Sequence, residues 1–314
     1  MPKGHVCVTG DVHGHLQLAL GVAARWQKEL GSDFEALLIC GDVGTFSKVE
    51  NADRATRRHA ANNPCELEFP RHWMRPEQSP WLAGISEDTD NGGLGLKAPV
   101  ILTHGNHEGF DLIRAASPQG IPDQPVEIAE LRALDPAGRL LLLPNGWRLR
   151  LPSGLIVAAV GGIQPGQRPR AGYDPMAYID EKAVASIVNG GHIDVLITHQ
   201  GPRLTQGFGR GSELFDRIAN SGKVRTWFHG HSVGDPDIQT LGGTTVVPMD
   251  GLPFRQEGPI KGQPDEDSWC SLQITDNGID IDRKRPECWW EFHQSNWTRL
   301  PDGSLVAPPL AHLR

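Results

Sequence analysis

The sequence predicts an α/β fold, on three observations. Short apolar runs end abruptly in Gly or a polar residue, stretches of helical spacing lie between them, and the 314 residues include 37 Gly and 25 Pro. That many turn formers suit short elements joined by loops better than long helices. The apolar runs are HVCVTGD (5–11), ALLICGD (36–42), PVILTHGN (99–106), LIVAAVGG (155–162), IDVLITHQ (193–200) and VRTWFHGH (224–231). Their brevity, β-branched content and terminal Gly read as buried strands. Between the first two, Leu16, Ala19, Leu20, Ala23 and Leu30 recur at helical spacing. DEKAVASIVNGG (180–191) and SELFDRIANSG (212–222) read as helices with Asp180 and Ser212 as N-caps. Alternating strand and helix is the pattern of layered α/β domains.

Two segments depart from that rhythm. The connection from Gly41 to Ala98 exceeds the helical crossover of a ~30-residue βαβ unit. It is read as an insertion, about 46–98, lying beside or over the functional site. ADRATRRHAANN within it is predicted as a helix and EDTDNGGLGLK as mobile loop. Deletion of 48–96 is expected to spare hydrolysis of a small aryl ester and to weaken that of a polymeric substrate. At the far end, WCSLQIT (269–275) and IDIDRKR (279–285) read as a strand pair, closing a domain that spans 1–285. A Trp-rich tail follows over 286–314, expected to pack on the domain or on a partner, with a homo-oligomer formed through it as one expectation.

Bulk properties narrow the function. With 30 Lys+Arg against 38 Asp+Glu the net charge is −8, which argues against a sequence-indifferent nucleic-acid coat. The five cysteines form no CxxC pair, as in a reducing compartment. No run approaches a membrane span and MPKGHVCVTG carries no apolar signal segment, so the expectation is cytoplasmic, with no membrane partner.

The chemistry collects at the strand tips. Asp11 and His13 follow the first run, Asp42 the second, Asn106 and His107 the third, His199 the fifth, and His229 and His231 the sixth. Residues at the carboxyl ends of successive strands converge on one crevice in an open α/β sheet. Two carboxylates, an amide oxygen and several imidazoles, without a thiolate, suit Mn²⁺, Fe, Zn²⁺, Co²⁺ or Ni²⁺. In D-x-H the two side chains are expected on one side of an extended chain. Seven donors are too many for one tetrahedral ion and suit two ions sharing a carboxylate, the arrangement of phosphoryl transfer.

GDVHG (10–14), GD (41–42), GNHE (105–108), the lone His199 and GHS (230–232) stand in the order of the calcineurin-like binuclear metallophosphoesterases, which the chain resembles over residues 5 to about 232. The resemblance implies a two-sheet β-sandwich flanked by helices. It assigns one ion to Asp11, His13, Asp42 and His231, and a second to Asp42, Asn106, His199 and His229. His107 falls outside the ligand set as general acid, with a metal-bridging hydroxide attacking phosphorus. Two divalent ions are implied, Mn first, with Fe, Zn, Co or Ni also compatible.

Phosphoprotein phosphatases continue their second motif as GDxVDRG. This chain reads GDVGTFS, without that Asp and Arg, so His107 lacks the usual carboxylate partner and phosphomonoesterase activity becomes the alternative. APVILTHGNHEG, LPNGWRLRLPSGLIVAAVGGI and IDVLITHQGP look closer to the RNA lariat debranching enzymes, although those usually carry Cys in place of Asp11. The implied activity is a phosphodiesterase acting on nucleic acid or nucleotides. A non-catalytic binding module is the third reading. Arg168, Arg170 and Tyr173 are the candidate substrate contacts, able to grip phosphate and stack a base, with Arg54, Arg57 and Arg58 as a second basic cluster. Glu108 is read as a cap or hydrogen-bond acceptor at the start of the helix after it, His15 and His104 as solvated or lying behind the ligands in preference to touching substrate, and His5 and His59 as surface residues.

Overall fold

The computed structural model describes residues 4–166, 173–203, 211–231, 237–254, 261–275, 278–283 and 285–313. In chain order the strands of the two large sheets are β1 (Gly4–Thr9), β2 (Phe34–Ile39), β3 (Val100–Leu102), β4 (Val126–Glu127), β5 (Arg132–Ala133), β6 (Leu140–Leu142) and β7 (Arg148–Arg150). They continue as β8 (Ile156–Val160), β9 (Ile193–Thr198), β10 (Val224–His229), β11 (Gln239–Leu241), β12 (Thr244–Pro248), β13 (Trp269–Thr275) and β14 (Gly278–Asp282). The helices are α1 (Leu16–Leu30), α2 (Arg54–Ala60), α3 (Trp81–Gly84), α4 (Phe110–Ala116), α5 (Glu181–Asn189) and α6 (Glu213–Ala219).

Each sheet has seven strands, in the orders β14-β13-β1-β2-β3-β6-β5 and β11-β12-β10-β9-β8-β7-β4. The central strands β1, β2 and β3 run parallel, as do β8, β9 and β10. All six thus deliver their carboxyl ends to one edge of the sandwich.

Alternation along the strands builds the layers. In β1 and β2, Val6, Val8, Ala36 and Leu38 face the second sheet and meet Val157, Ala159, Val195 and Ile197. Their neighbours Cys7, Leu37 and Ile39 face outward, under α1. On the far side Ala158, Leu196 and Trp227 pack beneath α5 and α6 through Ala183, Ile187, Phe215 and Ile218. Both faces of each sheet are therefore dry, which is why these strands read as continuous apolar runs. At roughly 1.5–3 kcal/mol for each fully buried Val, Leu, Ile or Phe, this burial is the main stabilising term. The architecture is helix, sheet, sheet, helix.

Local signals hold where the chemistry is local. Asp180 accepts from Lys182 N and Ser212 from Leu214 N at the starts of α5 and α6. Helix α1 stops at Gly31, whose φ of 62° few other residues adopt without strain. The predicted 52–63 helix is shorter, starting only after Asp53, which caps it by accepting from Thr56 N. β13 and β14 pair antiparallel, with the turn residues 276–277 outside the described ones. His5 is buried, not on the surface, because β1 lies between two strands.

The insertion is no detachable cover. Phe69, Trp73, Trp81, Leu82, Ile85, Leu94 and Leu96 belong to the same buried cluster as α1 and the outer face of the first sheet. Removal of 48–96 would strip these side chains from that face, which argues against the expectation that the deletion spares hydrolysis of a small ester. Trp289, Phe292 and Leu310 from the C-terminal tail enter the same cluster. The fully buried Gln17 ties the tail down, donating to Leu305 O at 3.0 Å and accepting from Ala307 N at 3.2 Å.

Candidate metal centre

The strand tips bring the predicted residues together. Asp11, His13 and Asp42 place ligand-capable atoms within 4.8 Å of one another, and so do Asp42, His199 and His231. His199 lies between the carboxylates, with Nδ1 3.3 Å from Asp11 Oδ1 and Nε2 3.4 Å from Asp42 Oδ2. Asn106 Oδ1 is 3.0 Å from the same Nε2. His229, at the end of β10, falls outside both three-residue groups, but its Nε2 is buried without a hydrogen-bond partner. Asp11 Oδ1 is also buried, with the His199 Nδ1 contact at 3.3 Å and no aligned hydrogen bond. Orphaned polar atoms of this kind cost too much to bury for no purpose. Nitrogen and oxygen donors with no sulfur fit divalent transition ions.

The backbone is bent to make this cluster. Among the described residues, the non-glycine positions at positive φ are His13 (44°), Asp42 (46°) and His231 (53°), all three in the centre. Such conformations cost about 1–3 kcal/mol each and collect at functional sites. Asp11 and His13 therefore do not sit on one side of an extended chain. β1 ends at Thr9, and the pair is presented by a turn. Gly105 and Gly230 let these turns close, since a methyl group on either would collide with the carboxylate of Asp42 or Asp11.

Charge is balanced within the site. Burial alone would raise the Asp42 carboxyl, but the imidazoles of His199, His13 and His107 hold it far below the usual range. Burial pushes His199 down, and Asp42 and Asp11 outweigh it, lifting the imidazole to about 9. His229 and His231 fall to about 4, chiefly through burial, leaving neutral rings able to ligate.

His107 stands at the rim of the cluster. Its Nδ1 is 2.7 Å from Asp53 Oδ2, and its backbone N–H donates to Asp42 Oδ1 at 2.8 Å. The carboxylate partner missing from the second motif is thus supplied by the insertion, from the residue that caps α2. Burial lowers the His107 imidazole, and Asp53 together with Asp42 more than restores it, to above its ordinary value. The sequence analysis placed Asp53 only within a predicted helix. Nothing in the pattern signalled a contact 54 residues away.

Glu108 does not cap the following helix. Its carboxylate accepts from the backbone N–H groups of Val43, Gly44, Thr45 and Gly105 and from the Thr45 hydroxyl, at 2.8–3.2 Å. It thereby locks the loop that carries Asp42. His15 and His104 are buried supports, each ring joined to an asparagine amide, Asn63 at 2.9 Å and Asn145 at 3.1 Å. His59 is exposed. Tyr173 lines a cavity of about 500 Å³ beside His107. Arg168 and Arg170 lie outside the described residues.

A family model described as calcineurin-like phosphoesterase matches residues 4–235. The chain belongs to that family. Calcineurin-like phosphoesterases use divalent metal ions to hydrolyse phosphoric esters, and the clustered Asp and His side chains could hold such ions here. TT1561 of Thermus thermophilus is a similar solved structure at 14% identity and a TM-score of 0.45, with 89% of this chain and 98% of that one covered. A second solved structure is similar at 16% identity and a TM-score of 0.48, covering 91% of this chain and all of the other. No curated protein matches the chain. No helix among the described residues is long and apolar enough to cross a membrane.

Proposed function

We propose that this calcineurin-like phosphoesterase is a phosphodiesterase of nucleic acid or nucleotides. The observation that carries it is the room around the centre. A cavity of about 500 Å³ begins at Asn106 and His107, and a separate cleft of about 380 Å³ begins at Asp11, His13 and His231. The two share no lining residue. A diester needs space for a substituent on each side of phosphorus, whereas a terminal phosphate needs only one. The motif resemblance to the debranching enzymes supports the same reading.

Asp11, His13, Asp42 and His231 would hold one divalent ion, and Asp42, Asn106, His199 and His229 a second, with Mn²⁺ the favoured metal and Fe, Zn, Co or Ni compatible. When bound, the ions neutralise non-bridging phosphoryl oxygens and acidify water for in-line attack. The chain's own contribution begins with Asp42, which accepts from the backbone N–H groups of Asn106 and His107 at 2.8 Å and so holds the loop that carries both side chains. Asp53 occupies Nδ1 of His107, leaving Nε2 to give its proton to the departing oxygen. No side-chain nucleophile is required.

The test compares bis-p-nitrophenyl phosphate with p-nitrophenyl phosphate on Mn²⁺-loaded protein, with Asp42→Ala as the blank. Preference for the diester is expected. Preference for the monoester would assign the protein to the phosphatases, and activity on neither would leave a binding module. Asn106→Ala and His199→Ala should lower bound metal, read by elemental analysis, in step with turnover. Equal turnover of an alkyl diester by wild type and His107→Ala would remove the acid from the scheme.

A further inference from the structure

The cavity that starts at His107 has a chemistry of its own. Besides His107, three ring-bearing residues line it, Phe46, Phe110 and Tyr173, together with Arg54 and Arg58. These two arginines stand four apart on α2 and so share one face of the helix. The intervening Arg57 is engaged by the backbone, donating to Glu50 O and Ala52 O. Arg54 makes no ion pair among the described residues, and Arg58 has only a 3.2 Å contact with His59 Nε2.

The acids along the wall are already engaged. Asp53 holds His107, Asp174 is 2.7 Å from Arg114, and Glu108 is saturated by backbone donors. What faces a ligand is two cationic forks and the partly exposed rings of Phe110 and Tyr173, with Phe46 buried in the wall, in a volume suited to a nucleotide. Guanidinium forks match phosphate oxygens, and aromatic faces accept a base whatever its identity. Because His107 protonates the leaving oxygen in the proposed reaction, the group entering this cavity is the leaving group.

Resting on the phosphodiesterase reading above, we infer that the cavity is a leaving-group subsite for a nucleoside bearing a second phosphate, stacked on the rings and held by Arg54 and Arg58. Such a leaving group is supplied either by a polynucleotide or by a small nucleotide with phosphates at two positions. Asp53, which orients His107, caps the same helix that carries both arginines. Recognition of the distal phosphate and placement of the proton donor thus depend on one short element.

The experiment is isothermal titration of Mn²⁺-loaded protein with adenosine 5′-monophosphate, adenosine 3′,5′-bisphosphate and a triadenylate. The bisphosphate should bind at least ~10-fold more tightly than the monophosphate, the gain of a charge-assisted contact. Arg54→Gln combined with Arg58→Gln should erase that difference, and Arg75→Gln, an exposed charge outside the cavity, should keep it. Tyr173→Leu should weaken all three ligands together. Tighter binding of the triadenylate than of the bisphosphate assigns a polynucleotide, and the reverse a small nucleotide. Equal affinity for mono- and bisphosphate, or a gain that survives the double arginine variant, overturns the inference. If bis-p-nitrophenyl phosphate is still cleaved in that case, the phosphodiesterase reading stands alone. If it is not cleaved and no nucleotide binds, both fail.

Discussion

His13 carries a backbone penalty at φ 44° with a side chain that is 32% exposed, so little packing holds it there. Asparagine tolerates that conformation better than histidine. His13→Asn should therefore keep or slightly raise the melting temperature while activity falls. A joint loss of both would mark His13 as structural. At Asp53 the sign follows from which form is active. In the reaction proposed above His107 works while protonated, and Asp53 raises its imidazole, so the proposal has Asp53 extend activity to higher pH. Asp53→Asn should move the alkaline limb of the kcat profile down, and an unmoved limb would remove Asp53 from the proton path. Glu66, in the cavity beside His13, is raised from 4.5 to about 7, mainly by burial. The native state then binds the proton more tightly than the unfolded chain does. Stability should fall as pH climbs from 4.5 through 7, by on the order of 3 kcal/mol in metal-free protein. Glu66→Gln should flatten that slope in chelator-treated samples melted between about pH 5 and 8.

At the scale of elements, the loops after β2 and β3 are joined through a single carboxylate. Glu108→Gln would turn an amide N–H₂ toward backbone donors that now meet oxygen. The expected cost is on the order of 3 kcal/mol, read by denaturant unfolding, with loss of metal binding as the Asp42 loop comes free. How much of this could be read in the sequence depended on range. Strand tips at Asp11, Asp42, Asn106, His199 and His229 were legible because an apolar run that stops at polar residues is a local signal. Caps at Asp180 and Ser212 were legible for the same reason. The Asp53–His107 contact and the Glu108 clamp were not, since each joins segments more than 50 residues apart without any periodic trace. Turn geometry at His13 was misjudged because side-chain spacing says nothing about the sign of φ. The short strands β4, β5, β6, β7, β11 and β12 are two to five residues long, too brief for alternation to show.

For the molecule as a whole, insertion, α1 and tail form one cluster, so neither added segment can be trimmed without loss of stability. Removal of 286–314 would bare the sites of Trp289, Phe292 and Leu310, all fully buried. Size-exclusion chromatography and near-UV circular dichroism should show an aggregated or loosened protein, and a monomer with native spectra would refute this. The Gln17 amide reaches residues 288 and 290 positions further along the chain. On a ribosome adding ~5–20 residues per second, that side chain waits on the order of 15–60 s for its partners. β1 waits almost as long for β13, although it leads directly into the first aspartate of the centre. The nascent chain therefore carries Asp11 and His13 behind an unpaired strand edge while more than 250 further residues are added, and depends on whatever shields such edges until β13 has been made.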